Sequence, residues 1–304
     1  MLAEIFYWIL NMSIIGSVMG LIVLPLRKIP FLSRRMAVIL WVIPFVRLCV
    51  PFGLNAKYSL MSLISLIPTR TVTVLEPAES ISVSAMNSVL AAESYFPMTF
   101  KSEALANVFA VSGVIWLIGA CAVILALAIM YFMTLGELKD ARLLRENIYL
   151  SDKVTSPAVY GIFRPRIVLP SSYEDKDITH ILSHERAHIR RADNLWRMLG
   201  FLTGAVHWFN PLSWLFLKRF LADIELACDD AALKDSSDEE RREYARELLG
   251  CAESKSLLTS AFGGAKVRSR IENIVSYKRM TAVSAVFSVI LIAALLIVTL
   301  TNSA

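Results

Sequence analysis

The chain has 304 residues, of which 56% are hydrophobic and only 19% are charged. A soluble fold of this length cannot hide so much apolar surface, so the composition excludes an ordinary soluble enzyme and indicates an integral membrane protein. The formal net charge of +5 is explained by basic residues beside an anionic bilayer, and it requires no direct contact with nucleic acid. No pair of the four cysteines has C-x-x-C spacing, and we expect no disulfides.

Four apolar segments are candidates to cross the bilayer, whose hydrocarbon layer is spanned by about 20 helical residues. Three contain no charged residue: Ile5–Leu26, Ala104–Gly136 and residues 280–304. The first has neither a basic region before it nor a cleavage site, which indicates an anchor rather than a signal peptide. The fourth, Met36–Ala56, contains Arg47 near its centre. That arginine either relays a signal between spans or satisfies carbonyls freed by nearby prolines, and the sequence does not decide between these roles.

The distribution of basic residues predicts the orientation of these spans. Basic residues crowd the first short connection and both ends of the segment 137–279, whereas the segment 58–103 has more acidic than basic residues. An N-out, C-out arrangement with four spans satisfies each of these biases. The predicted domains are then spans one and two in residues 1–57, an extracellular loop in 58–103, span three in 104–136, a cytoplasmic domain in 137–279 and span four in 280–304.

The cytoplasmic segment is predicted to contain helices and a short β element. Residues 137–150 are predicted to continue the third span as a charged helix. The stretch SPAVYGIFRPRIVLPSS is rich in proline and β-branched residues, so it predicts a short hairpin or an edge strand. A helical pattern covers Asp177 to Arg190. The apolar stretch that follows is broken at Asn210–Pro211, because proline interrupts helical hydrogen bonding, and residues 221–250 are again predicted to be helical.

The helix over Asp177 to Arg190 contains LSHERAHIRRADN, which includes an H-E-x-x-H motif. Residues four apart on an α-helix differ by roughly 40° around its axis, so His184 and His188 point the same way and can share a metal ion. H-E-x-x-H on a helix is the zincin signature. It predicts two neutral imidazoles as zinc ligands, with Glu185 as the general base that takes a proton from the attacking water.

A catalytic zinc needs a third protein ligand and an open position. The metzincin position, six residues after the second histidine, is Asn194, so that subclass is excluded. The remaining candidates are His180, His207, Asp223, Glu225 and Asp229. In DIELACDD, Glu225 and Asp229 share one helix face, so one can bind the metal while the other accepts an N–H from a ligand histidine. We expect Glu225 on zinc and Asp229 behind His184. Cys228 is a further thiolate candidate, although a small buried packing role suits it better.

Four blocks of sequence, in this order, resemble the BlaR/MecR-type membrane metallopeptidases. They are VYGIFRPRIVLP, SHERAHIRRADNL, HWFNPLSW and ELACDDAAL, and they extend from Val159 to Leu233. The resemblance implies a gluzincin, in which zinc is held by His184, His188 and Glu225, with Glu185 as catalytic acid and base. The predicted fold is a mainly α integral membrane protein, with four transmembrane helices and a cytoplasmic gluzincin-like domain that carries a small β-hairpin or sheet.

The resemblance also implies signal-regulated proteolysis on the cytoplasmic side of a bacterial inner membrane. The implied substrate is a cytoplasmic repressor-like protein, the chain itself, or both. Family receptors are acylated by β-lactams at a Ser-x-x-Lys motif, and this sequence contains none. We therefore expect either a truncated receptor or a short form without the penicillin-binding domain, which senses through the 58–103 loop or a sensor partner. The sequence leaves the oligomeric state open, a homodimer included.

The sequence leaves open two other functions of the protein and the roles of two of its segments. A housekeeping membrane protease would use the same site, and a non-catalytic signalling scaffold would use the metal structurally, although structural zinc usually has four protein ligands. The VYGIFRPRIVLP hairpin is expected to contact substrate through Val159, Gly161, Ile167 and Val168, or else it only covers the site. The glycines of TSAFGGAKV suit either a self-cleavage site or a flexible tether.

Overall fold

The computed structural model describes residues 2–29, 32–50, 55–56, 103–174, 178–234, 236–252, 267–276, 281–300 and 302–303. In these ranges the helices are α1 (Leu2–Leu26), α2 (Arg34–Leu40), α3 (Val42–Cys49), α4 (Glu103–Glu137), α5 (Thr179–Arg190), α6 (Asp193–Val206), α7 (Pro211–Ala232), α8 (Asp238–Ala252), α9 (Val267–Val275) and α10 (Ala282–Leu300). The main strands are β1 (Arg142–Arg145), β2 (Ile148–Ser151), β3 (Ala158–Tyr160) and β4 (Arg166–Pro170). A 3-10 turn covers Ser171–Tyr173, and the two-residue strands Asn55–Ala56 and Asn302–Ser303 pair in parallel. Residues 58–102 of the predicted loop and most of TSAFGGAKV lie outside the described residues.

Two of the described helical segments are long and apolar enough to cross a membrane, Leu2–Leu26 and Asn107–Gly136. They coincide with the first and third predicted spans. Helix α10 is apolar but shorter over Ser284–Ile297. The predicted span Met36–Ala56 begins instead as the two short helices α2 and α3, which meet at Trp41. They are separate because Pro44 has no N–H to donate to the carbonyl one turn before it. The structure thus supports membrane helices at two of the four predicted positions.

Helix α1 is the centre of the larger apolar core. It packs against α3, α4 and α7, and small residues allow the close approach: a Cβ on Gly20 would lie 2.1 Å from the ring of Phe216 on α7. Asn210 caps the N-terminus of α7. Its side-chain amide also donates to the hydroxyls of Ser13 and Ser17 on α1, at 2.7 and 2.8 Å. The predicted helix break before α7 is confirmed, and the capping residue ties α7 to the first membrane helix.

The four main strands form one sheet in the order β1-β2-β4-β3. Strands β3 and β4 pair antiparallel, which confirms the predicted hairpin, and β4 also pairs in parallel with β2. The charged helix predicted over 137–150 is wrong, because α4 ends at Glu137 and β1 and β2 occupy this stretch. Glu146, with a φ of 46°, lies in the tight turn between them. Ile148 and Leu150 then point into the core with a two-residue period, which is the period of a strand.

The buried face of the sheet holds α5 in place. The apolar contacts are made by Ile148, Leu150, Ile167 and Leu169 of the sheet with Ile178 and Leu182. On another side α5 packs against α7. The helix that carries H-E-x-x-H is therefore held between the sheet and the helix that carries the acidic motif.

The close contact between α1 and α7 makes a stability prediction. Gly20→Ala is expected to lower the free energy of unfolding by about 1–3 kcal/mol, because the added methyl group overlaps the Phe216 ring. Denaturant-induced unfolding in detergent micelles measures the effect. Gly136→Ala is the matched control, since a Cβ at Gly136 meets nothing within 4 Å and the substitution should not destabilise the protein. A Gly20→Ala chain as stable as the Gly136→Ala chain would contradict the α1–α7 contact.

Candidate metal centre

Helix α5 carries the H-E-x-x-H motif, as predicted. His184, Glu185 and His188 are all buried. The two imidazoles lie one turn apart, and their Nε2 atoms are 3.2 Å from each other. Leu182 of the same helix packs into the sheet core, which fixes the rotation of α5 about its axis. The motif therefore presents two converging nitrogen atoms.

Helix α7 brings Glu225 to the two imidazoles. Its Oε2 lies 3.7 Å from His184 Nε2, and its Oε1 lies 3.7 Å from His188 Nε2. Tetrahedral zinc with bonds of about 2.0–2.1 Å separates its ligand atoms by about 3.3 Å. The three side chains thus have both the donor chemistry and the spacing of a divalent metal site. Among the described residues, one other group offers three such donors in reach of one another, His188, Asp193 and Cys228.

A buried carboxylate holds each imidazole from behind. His184 Nδ1 lies 3.1 Å from Asp229 Oδ1, and His188 Nδ1 lies 2.8 Å from Asp193 Oδ2. Each Nδ1–H therefore donates to a carboxylate, and each Nε2 is left with a lone pair. Two lone pairs that face each other at 3.2 Å repel unless a proton or a metal ion lies between them. The hydrogen bonds behind the rings accordingly favour a metal ion in front of them.

Asp193 is a site residue that the sequence pattern does not single out. It reaches His188 because the chain reverses sharply after α5, where Ala192 has a φ of 52°, a left-handed conformation that often ends helices. Its position five residues after the second histidine is a usable signal, but aspartate is also common at a helix start for capping alone. Cys228 Sγ donates to Asp193 Oδ2 at 3.1 Å. Burial raises the pKa of the Cys228 thiol and keeps it a neutral donor, in agreement with a packing role rather than a thiolate ligand.

Asp229 is the centre of a second network. Arg270 of α9 donates from Nε to Oδ2 at 2.8 Å and from Nη2 to Oδ1 at 2.6 Å, a two-point ion pair. Tyr244 of α8 donates its hydroxyl to Oδ1 at 2.9 Å. These bonds compensate a carboxylate with no solvent exposure and join α7, α8 and α9 around His184, whose Nε2 lies 3.5 Å from Arg270 Nη2. Neither Arg270 nor Tyr244 belongs to a motif, and sequence reasoning missed both.

The charges around the donors favour a positive charge at their centre. Burial disfavours the ionised form of Asp229, but Arg270 outweighs it and holds the pKa of Asp229 at about 2. Burial likewise lowers the pKa of His184, but hydrogen bonds to Asp229 and Glu225 outweigh burial and raise that pKa to about 9. The pKa of Glu225 is held well below its usual range, against burial, by the two imidazoles and by Arg197. A metal ion supplies the same positive charge that a proton on His184 would supply.

Glu185 follows His184 directly on α5, and its side chain is buried. Its exposure is 7%, and within the described ranges no hydrogen bond or ion pair involves its side chain. The catalytic role expected for the glutamate of the motif stays a prediction.

Two other histidines lie apart from the donor group. The ring of His180 is 6.2 Å from the ring of Tyr244, and His180 belongs to neither group of three donors in the described residues. His207 donates from Nε2 to the carbonyl oxygen of Leu48, at the end of α3, at 2.8 Å. The third-ligand alternatives at His180 and His207 are thus not brought to the imidazole pair.

Asp223, the remaining alternative, faces the membrane helices instead. Its Oδ2 accepts the indole N–H of Trp41 at 2.7 Å and lies 3.2 Å from Arg27 Nη1, just after α1. Glu225 lies two residues further along α7, about 200° around the helix, which explains why it reaches a different neighbour. Helix α7 therefore uses one carboxylate to anchor itself and another to approach the histidines.

The predicted substrate contacts require a correction at two positions. Ile167 and Val168 lie on β4, whose two edges are both paired, and they are 0% and 2% exposed. A substrate backbone cannot pair with an inner strand, so these two residues belong to the core. Strand β3 is the sheet edge, and the side-chain amide of Asn194 donates to the carbonyls of Val159 and Gly161 at 3.0 and 2.9 Å. The edge that a substrate would use is thus held by the residue that follows Asp193.

The ion pair behind His184 makes a second stability prediction. Arg270→Ala is expected to lower the free energy of unfolding by about 3–5 kcal/mol, because it leaves the buried Asp229 carboxylate uncompensated. Arg268→Ala is the control on the same helix, where the arginine is exposed and pairs with Glu272 at the surface, so little change is expected. Denaturant-induced unfolding of both variants gives the comparison. Losses of equal size would refute the structural role of the Arg270–Asp229 pair.

The chain is similar in sequence to known proteins. Residues 7–283 match the family described as BlaR1 peptidase M56. The regulatory protein BlaR1 of Bacillus licheniformis is 30% identical over 127 residues, which are 41% of this chain and 21% of that protein. The methicillin resistance mecR1 protein of Staphylococcus aureus is 30% identical over 114 residues, 36% of this chain and 20% of that protein. The regulatory protein BlaR1 of Staphylococcus aureus is 25% identical over 143 residues, 43% of this chain and 24% of that protein.

These alignments span about a fifth to a quarter of the length of each relative. The family match, in contrast, extends over most of this chain and includes every residue of the candidate metal centre. The chain therefore belongs to the BlaR1 peptidase M56 family.

Proposed function

We propose that this chain is a zinc-dependent endopeptidase embedded in a bacterial cytoplasmic membrane, where it carries out signal-regulated proteolysis. The observation that carries the proposal is the convergence of two imidazole Nε2 atoms and the Glu225 carboxylate, 3.2–3.7 Å apart, with Glu185 next to His184 in the chain. Membership of a peptidase family supports peptide-bond hydrolysis as the reaction.

Zinc is the metal that best suits two imidazoles and one carboxylate, since three protein ligands leave the fourth position of a tetrahedral ion open. When bound, zinc lowers the pKa of water and polarises the scissile carbonyl group. A structural zinc usually has four protein ligands. Three protein ligands, with Glu185 next to His184 in the chain, favour a catalytic zinc over the structural zinc of a signalling scaffold.

The residues around the metal ligands have separate tasks in this mechanism. Two buried aspartates accept the Nδ1–H of the ligand histidines, so that both rings present a lone pair. Glu185 accepts a proton from the water that attacks the carbonyl carbon, and then delivers it to the leaving amine nitrogen. Arg197 donates to Glu225 Oε1 at 2.6 Å and keeps that carboxylate ionised.

We infer that the substrate is an extended segment of a cytoplasmic repressor-like protein, of the chain itself, or both. Strand β3 supports this, because an edge strand can accept another strand through main-chain hydrogen bonds. Strand addition at the carbonyls of Val159 and Gly161 would replace the hydrogen bonds from Asn194. The word regulatory in the names of two relatives favours signal-regulated proteolysis over housekeeping.

We further infer the N-out, C-out arrangement with four spans and a cytoplasmic metal centre. The distribution of basic residues carries this inference. The contact between Arg27, in the basic connection after α1, and Asp223 supports it, because it joins that connection to the helix that carries Glu225.

The glutamate of the motif provides the direct test of the mechanism. Glu185→Gln should retain one zinc per chain and slow cleavage by about 10²–10⁴-fold, because an amide cannot accept the proton. Metal analysis of the purified chain, with quantitative proteomics of native membranes, measures both effects. Glu239→Gln changes an exposed carboxylate on α8 and should leave zinc content and cleavage as in the wild type. Undiminished cleavage by Glu185→Gln would remove Glu185 from the mechanism.

Zinc affinity distinguishes a residue that binds the metal from a residue that only hydrogen-bonds to a ligand histidine. Asp193→Asn should weaken zinc binding by about 10–100-fold, the usual effect of losing a supporting hydrogen-bond partner. Glu225→Gln should weaken it by more, because it removes a donor to the ion itself. Competition with a chromogenic chelator measures both affinities. If Glu225→Gln binds zinc as tightly as the wild type, the third ligand lies elsewhere.

A further inference from the structure

A groove of about 890 Å³ opens beside the metal centre, between α2 and α3 on one side and α5, α6 and α7 on the other. This volume lies within the range of small-ligand sites, roughly 300–1,000 Å³. The middle of the groove is apolar, lined by Val42, Val46, Trp196 and Leu199 among others. The proposed proteolytic mechanism makes no use of this space.

Contacts between the helices define the two ends of the groove. Cys49 Sγ, at the end of α3, lies 3.3 Å from Thr203 Oγ1, near the end of α6. The rings of Phe45 and Phe220 are 5.1 Å apart, so the first half of α7 lies near the same end. The start of α2, the turn between α5 and α6, and the end of α7 therefore meet at the opposite end.

That opposite end is cationic. Arg35, Arg190 and Lys234 line it, and all three are exposed. In the part of the chain that the structure describes, no ion pair or hydrogen bond engages these three side chains. The single carboxylate among the lining residues is Asp193, which is buried and bonded to His188. Positive charge is thus concentrated at one end of an apolar groove, since Asp230, the acidic side chain that interacts with Arg35, does not line the groove and is hydrogen-bonded to Asn273.

The length and position of the groove match one leaflet of a bilayer. The path from Arg35 to Cys49 extends at most about 21 Å at 1.5 Å per residue, because it consists of the two helices α2 and α3 that meet at Trp41. One leaflet contributes about 15 Å of hydrocarbon. Arg35 follows the short basic connection after α1, so it lies near the end of the first membrane helix. The cationic end is therefore at headgroup level, and the apolar wall extends along the acyl chains.

We propose that this groove binds an anionic phospholipid, with the phosphate among Arg35, Arg190 and Lys234 and an acyl chain along α3 and α6. Basic pockets between membrane helices recognise acidic headgroups. A soluble anion would leave the apolar wall unfilled, and an apolar helix of a partner would leave three cations uncompensated. A phospholipid with net negative charge satisfies both parts of the groove.

Trp196 is a built-in reporter, because it lines the groove and is 45% exposed. The 304-residue chain is placed in phosphatidylcholine nanodiscs. The nanodiscs contain increasing fractions of one brominated lipid, either phosphatidylglycerol or phosphatidylcholine, whose brominated acyl chains quench tryptophan on contact. The Trp196 signal is the difference between the wild type and Trp196→Phe. Half-quenching is expected at about a 10-fold lower mole fraction of brominated phosphatidylglycerol than of brominated phosphatidylcholine.

The variant Arg35→Gln/Arg190→Gln/Lys234→Gln should lose this preference. The control Arg145→Gln/Arg242→Gln/Arg246→Gln removes the same charge from exposed positions that do not line the groove, and it should keep the preference. Equal quenching by the two lipids, quenching by neither, or an unchanged preference in the groove variant would overturn the proposal. An equal loss of the preference in the control variant would also overturn it. Release of the quenching by soluble glycerol phosphate would do the same, because it would identify the headgroup alone as the ligand.

Discussion

The candidate metal centre depends on where two imidazole protons lie. Asp193 and Asp229 each accept one Nδ1–H, so the opposite nitrogens of His188 and His184 are left as lone pairs that face each other at 3.2 Å. Without these carboxylates either ring is free to rotate or to move its proton to Nε2, and a protonated nitrogen cannot bind a metal. Two aspartates outside the H-E-x-x-H motif thus determine whether the motif can work.

Helix α7 integrates the membrane part of the molecule with this chemistry. Within two turns it directs Asp223 to Trp41 and Arg27, Glu225 to the imidazole pair, and Asp229 to His184. Each carboxylate faces a different neighbour because successive helical positions are rotated by about 100°. The helix cannot shift along its axis without breaking an anchor to the membrane helices and a contact to the histidines together. The position of Glu225 is therefore tied to the packing of α1 and α2.

Whether a feature could be predicted from the sequence depends on how far apart in the chain its interacting residues lie. H-E-x-x-H and the Glu225–Asp229 pair were predictable, since spacing along a single helix determines which side chains share a face. Asp193, Tyr244 and Arg270 were not, because their contacts arise only when α6, α8 and α9 pack around α5 and α7. The wrong prediction of a helix over residues 137–150 has a local cause. Its charged residues resemble a helix surface, whereas the buried positions follow a strand period.

Two adjacent residues after α5 connect the metal ligands to the sheet edge. Asp193 holds His188, and Asn194 holds the carbonyls of Val159 and Gly161 on β3. Both follow Ala192, whose left-handed backbone makes the turn into α6 abrupt. One short turn therefore determines the spacing between the metal-binding nitrogen and the strand where an extended substrate would lie. Catalytic geometry of this kind tolerates errors of only about 0.5 Å, and the proposed substrate edge, fastened to the same turn as a candidate metal ligand, would meet that demand better than a free loop.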